Sequence, residues 1–190
     1  MKLRALFKFA YLLCSVLFYP ALLFSVFSLA YHIAFLWFPD SGFAESLAPF
    51  EPFYSYLWIY FEEVPEVYLD RDVIFLSFIS SIFFIMLILI GLRVLHKLFK
   101  NIYKESLFIE QNVKLLYILG GTDLVLGSIF IYFDGLIFEK VLSALAISNA
   151  TVEFINIDYV DTIISGIIFI MIGAALKVAV RAIEENKYTI

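Results

Sequence analysis

The sequence predicts an all-α fold, a four-helix transmembrane bundle with two acidic outer loops and an amphipathic inner segment. Three observations carry that prediction. The chain of 190 residues is 63% hydrophobic and only 16% charged, against about 45–50% apolar and ~25% charged in a soluble domain. Its mean hydropathy is +0.96, so the apolar excess needs lipid as its solvent. The run from Val73 to Leu92 has no charge, and its polar side chains are Ser77, Ser80 and Ser81. About 20 helical residues cross the ~30 Å hydrocarbon core of a bilayer. Asp70, Arg71 and Asp72 precede this run, and Arg93, His96, Lys97, Lys100 and Lys104 follow it.

The chain reads as one integral membrane domain over 1–190. Its spans are expected at about 6–30, 73–95, 115–133 and 162–180, its outer loops at 39–72 and 134–161, and its inner segment at 96–114. Lys2, Arg4 and Lys8 open the chain, and no charge occurs from Phe9 to Pro39. Secretory signal cores run about 7–15 residues, so the longer run here predicts a retained first helix. Pro20 removes one backbone hydrogen bond mid-span and predicts a kink. Tyr31, His32 and Trp37 fit interfacial anchors at its outer end. The lone cysteine, Cys14, excludes an intrachain disulfide.

The first outer loop sets Asp40, Glu45, Glu51, Glu62, Glu63, Glu66, Asp70 and Asp72 against a single Arg71. Aromatic residues crowd its middle, and Phe53 to Phe61 fits a short surface helix or strand. The inner segment alternates Leu98, Phe99, Ile102 and Tyr103 with Lys97, Lys100 and Lys104 in helical steps. Such helices lie at headgroup surfaces, basic side toward anionic lipid. The third span holds Gly120 and Gly127, and the fourth holds Gly166 and Gly173, each pair seven residues apart. Small residues on one stripe let helix backbones approach closely, so the third and fourth helices are expected to pack through them. The second outer loop carries Asp134, Glu139, Glu153, Asp158 and Asp161 against Lys140. Lys140 to Ile147 fits a short surface helix and Thr151 to Tyr159 a strand.

With both termini inside, 11 of the 13 basic residues fall on the inner side, and only Arg71 and Lys140 fall outside. That is a strong positive-inside bias. It predicts a multi-pass membrane protein with both termini on the inner, cytoplasmic side.

No catalytic constellation is visible, and no enzyme activity, cofactor or metal is expected. His32 and His96 sit at opposite ends of different spans, and no HExxH, CxxC or Gly-rich phosphate loop occurs. Ser80 and Ser81 show no facing partner in the sequence. Asp123 is the sharpest polar feature, because an acid inside a span is a functional candidate by default. Lys177 and Arg93 are its candidate partners. A structural ion pair or a hydrogen bond to Thr, Ser or Tyr is the alternative.

The segment Phe108-Ile109-Glu110-Gln111-Asn112-Val113-Lys114-Leu115 and the tail Glu184-Glu185-Asn186-Lys187-Tyr188-Thr189-Ile190 resemble the signatures of a bacterial four-span family, catalogued as domain of unknown function 2975. Gln111 and Lys187 depart from acids usual there. The resemblance implies a four-span topology and a place in the bacterial inner membrane. It also implies a small cytosolic helix-turn-helix regulator as partner, since such regulators are often encoded beside family members. Phe108, Asn112, Lys114, Glu184, Glu185 and Asn186 then become partner-binding candidates. Asn112 fits equally a cap of the third helix.

The leading expectation is a non-enzymatic sensor or regulator that docks such a partner without touching nucleic acid itself; a homo-oligomer through the glycine stripes is a further expectation. One alternative is a small transporter or ion-conducting unit using Asp123. Another is an immunity protein whose acidic, aromatic first loop neutralises a cationic peptide toxin.

Overall fold

The computed structural model of the chain describes residues 2–53, 63–145 and 158–187. Helix α1 spans Lys2–Trp37. A short α2, Gly42–Ser46, follows, capped by the Ser41 hydroxyl, which accepts from the Ala44 N–H. A single 3₁₀ turn, Glu66–Leu69, leads into α3, Arg71–Lys104. Next come α4, Glu110–Thr122, a π-helical turn, Asp123–Gly127, and α5, Ser128–Ser143, in unbroken succession. The last helix, α6, is Asp158–Lys187. Four helical stretches are thus long and apolar enough to cross a membrane. Among the described residues there is no strand. The physical reason is that hydrocarbon offers the backbone no hydrogen-bond partner, so each segment must satisfy its own N–H and C=O groups.

The helices overrun the expected spans at both ends. The 36 residues of α1 reach about 54 Å at the helical rise, well beyond a bilayer core. The helix continues without interruption through Pro20. One end of the bundle gathers the start of α1, the turn 105–109 and the end of α6, and is called here the basic end. The opposite end carries the described parts of the acidic first loop, 38–53 and 63–70.

Packing is unequal. Helix α3 lies centrally, against α1, α4 and α5, whereas α1 packs on α3 alone among the long helices. The tightest contact joins α4 to α6. A Cβ on Gly120 would lie 2.6 Å from the carbonyl oxygen of Gly166, and one on Gly166 would lie 2.5 Å from Leu124 Cγ. Farther along, Gly127 faces Thr162, and Gly173 faces the Tyr117 ring. At the basic end, Val94 and Leu98 of α3 form one apolar cluster with Val113, Leu116 and Leu119 of α4 and with Leu176 and Val180 of α6.

The second spanning helix, α3, continues into the inner segment as far as Lys104, with Leu98 drawn into the core cluster while Lys97, Lys100 and Lys104 stay exposed. Two expectations need correction. The second outer loop is shorter than expected. Asp134, Glu139 and Lys140 belong to α5, and Asp158, Tyr159 and Asp161 to α6. Helix α5 continues because Ile137 and Val141 bury fully against Tyr68, and Asp134 is itself fully buried. The surface helix expected from Lys140 therefore starts as the end of α5. His32 is not an interfacial anchor, being only 4% exposed. The expected elements at 54–61 and 151–157 lie outside the described residues.

The α4–α6 contact generates a prediction. Gly120→Ala places a methyl group against backbone that cannot yield, so it should destabilise by about 1–3 kcal/mol, the usual cost of overpacking. Gly121→Ala, one position away with nothing within 4 Å, should not destabilise and should gain up to about 1 kcal/mol from helix propensity. Unfolding midpoints of the two variants in mild detergent check the difference.

Candidate functional site

Three clusters of polar groups stand out among the described residues, in addition to the fully buried Asp134 of α5. The first joins α1 to α3 near the acidic end. His32 Nδ1 lies 2.7 Å from the carbonyl oxygen of Ser28. A carbonyl can only accept, so Nδ1 carries the proton and donates. In the neutral ring Nε2 is then an acceptor. Ser77 Oγ of α3 lies 3.0 Å from Nε2 and donates to it, and Ser81 Oγ lies at 3.4 Å. Residues 50–53 fold over this cluster. Phe50 is fully buried, stacks on Tyr31 at 5.3 Å and meets the His32 ring edge-on at 5.6 Å. The Tyr31 hydroxyl accepts from the Glu51 N–H at 3.0 Å.

A hydroxyl donating to a histidine nitrogen is the arrangement that activates a nucleophile. Here Ser77 has no exposed surface, so its hydroxyl is committed to holding α1 against α3. Sequence reasoning missed this pair by treating His32 as an anchor and Ser81 as lacking a facing partner. A signal was present: Ser77 and Ser81 lie four apart on one face of α3, at the same end of the bundle as His32.

The second place surrounds Asp123. Its carboxylate accepts a hydrogen bond from Ser165 Oγ of α6. Arg93 and Lys177, the expected partners, are both exposed and neither pairs with it. Their long side chains sit nearer the basic end and turn outward, as cations at helix ends do. The polar partner is therefore a serine one helix away, brought close by the glycine contact. The helix changes to π-helical geometry at Asp123, a distortion often found at functional sites. Because α1 packs only on α3, a groove of about 710 Å³ opens beside Asp123. Its walls are mainly apolar, from Leu17, Pro20 and Phe24 of α1, Ile88 and Leu92 of α3, and Phe169 of α6, with Asp123 and Thr122 as polar points.

The third place is the turn at the basic end. Asn112 is fully buried. Its Nδ2 donates to the carbonyls of Ser106 and Leu107, each at 3.0 Å, and its Oδ1 accepts from Asn101 Nδ2 at 2.9 Å. Asn112 is thus not the helix cap. That position belongs to Ile109, which makes no side-chain cap bond. Nor is Asn112 open to a partner, because burial and its bonds lock it beneath the turn. Leu107 and Phe108 project outward from this turn, 41% and 46% exposed. Glu110, Lys114, Glu184, Glu185 and Asn186 are also exposed. Among the described residues no group of His, Cys, Asp or Glu is placed to hold a metal ion.

Comparison with protein-family models, curated proteins and solved structures finds no match to this chain.

The histidine cluster yields a prediction. His32→Leu leaves the buried Ser77 hydroxyl without its acceptor, which should cost about 1–3 kcal/mol. Adding Ser77→Ala should recover part of that loss, giving a coupling energy of about 0.5 kcal/mol or more in a double-mutant cycle. Denaturant unfolding of the four chains measures it.

Proposed function

We propose that this chain is a non-enzymatic sensor or regulator of the bacterial inner membrane, with both termini cytoplasmic, that docks a small soluble regulator at its basic end. The orientation rests on the charge count, since the basic residues gather almost entirely at that end. The observation that carries the docking reading is the turn 105–109. Asn112 and Asn101 fix it through buried hydrogen bonds, and Leu107 and Phe108 stand out from it between Lys104 and Lys114. A loop that merely rests among headgroups needs no fixed shape. A loop that recognises a protein gains affinity from being held in its bound form, and an aromatic residue at its tip supplies a hydrophobic anchor. The class of partner, a helix-turn-helix protein, comes from the resemblance of Phe108–Leu115 and of the tail to the four-span family.

Crosslinking pull-down from native membranes tests the reading. The unaltered chain should retain a small DNA-binding protein. Phe108→Ala should lose it while changing stability by less than about 0.5 kcal/mol, as an exposed substitution does. Asn112→Ala should lose the partner and also destabilise by about 1–3 kcal/mol, because the buried side chain whose bonds hold the turn is removed. Equal recovery with all three chains would remove the turn from any docking role.

A further inference from the structure

We propose that the seam between α1 and α3 near the acidic end binds a single-chain cationic amphiphile, its ammonium group in an aromatic cage beside Glu51 and its alkyl chain in the adjoining groove. The site lies at the opposite end of the bundle from the turn 105–109 and does not depend on the docking reading.

The cage is a cavity of about 180 Å³. Five rings wall it: Phe24, Phe27 and Tyr31 from α1, Phe53 from the first loop and Phe84 from α3. Its polar lining comes from Glu51 and, on the bundle side, from His32, Ser28 and Ser81. Ring faces are negative, and several of them around one small space recognise quaternary ammonium groups. Glu51 adds a formal negative charge at the same space, and it is exposed on the outer side. His32 brings no opposing charge in its neutral form, with Nδ1–H given to Ser28 and Nε2 taken by Ser77. An anion would meet repulsion from the Glu51 carboxylate. An uncharged ligand would leave Glu51 without a role. The first loop, with eight acids to one base, raises the local concentration of cations at this end.

The chain of the ligand has a place as well. Phe24, Phe84 and Ile85 line both the cage and the groove of about 710 Å³, so the two spaces lie side by side with these side chains between them. The groove lies within the ~300–1,000 Å³ typical of ligand sites and is mostly apolar like them. It exists because α1 touches only α3 among the long helices, which leaves its other flank open toward α4 and α6. Two sources supply this chemistry: free amphiphilic cations, and membrane lipids with a choline-type headgroup.

Equilibrium binding of radiolabelled dodecyltrimethylammonium to the intact chain in dodecyl maltoside tests the proposal. Saturable binding is expected. Glu51→Gln and Phe84→Leu should each weaken it by about fivefold or more, the scale of one lost cation–ring or ion-pair contact. Val178→Ala, exposed on α6 and lining neither space, should bind as the unaltered chain does. Tetramethylammonium should compete about tenfold or more less well, because it lacks the chain. Dodecanol, which lacks the charge, should not compete at the same concentrations. That last comparison uses the unaltered protein, and unfolding midpoints identify any variant that fails to fold. Non-saturable uptake, equal competition by dodecanol, or folded Glu51 and Phe84 variants that bind normally would each overturn the site. Competition by dodecylphosphocholine equal to that of the cation assigns the site to lipid headgroups. Competition about tenfold weaker assigns it to free cations.

Discussion

A polar group that enters an apolar solvent must bring its partner with it, and the interior of this bundle is arranged around that constraint. An unmatched hydroxyl or carboxylate in hydrocarbon costs several kcal/mol. The Ser25 hydroxyl turns back to the carbonyl of Ala21. His32 is held by Ser28 within its own helix and by Ser77 across the seam. Asp123 takes the hydroxyl of Ser165. His96, near the basic end, lies 3.0 Å from the Tyr11 carbonyl and donates to it, with its ring edge-on to Tyr11 at 5.7 Å. The two histidines therefore tie α1 to α3 at both ends of their contact. Without the glycine contact of α4 and α6, Ser165 would not reach Asp123.

That constraint also explains the uneven architecture. Helix α3 is the helix against which the others are assembled, and α6 is fixed by direct backbone approach at Gly120 and Gly166. Helix α1 has polar ties to α3 and none of the small-residue contacts that join α4 to α6. It consequently stands off from the rest, and the groove beside Asp123 is the space it leaves. The bundle thus combines a tightly locked half, which holds the turn at Asn112 fixed, with an open flank whose groove is apolar enough for the alkyl chain of an amphiphile. The two proposed roles use these two parts, at opposite ends of the molecule.

Much of this was legible in the chain itself. The uncharged run at Val73–Leu92 marks the central helix, and the Gly120, Gly127, Gly166 and Gly173 positions lie on the faces where α4 and α6 meet. Asp123 stands out from composition alone, and Phe108 from its place in a short motif. Other features were misread for identifiable reasons. Asp134 follows an apolar run and looked like the start of a loop, yet the helical spacing of Ile137 and Val141 carries α5 onward. Asn112 sits where a cap belongs, but its amide reaches back to the turn and to Asn101 instead. His32 was legible as a residue and not as a partner, since nothing in the sequence says which way its ring faces.

The sequence by itself determined the solvent, the number of spanning helices and the sign of charge at each end. These are sums over about 20 neighbouring residues, and they survive any rotation of a helix about its axis. Only the tertiary structure decided which polar groups meet. Ser165 rather than Lys177 or Arg93 answers Asp123, and Ser77 rather than lipid headgroups answers His32. Each pairing depends on the rotation and depth of two helices at once, and a shift of one residue turns a side chain by about 100°. Local composition does not encode that relation, whereas the close approach of glycine surfaces and the requirement to satisfy buried donors do.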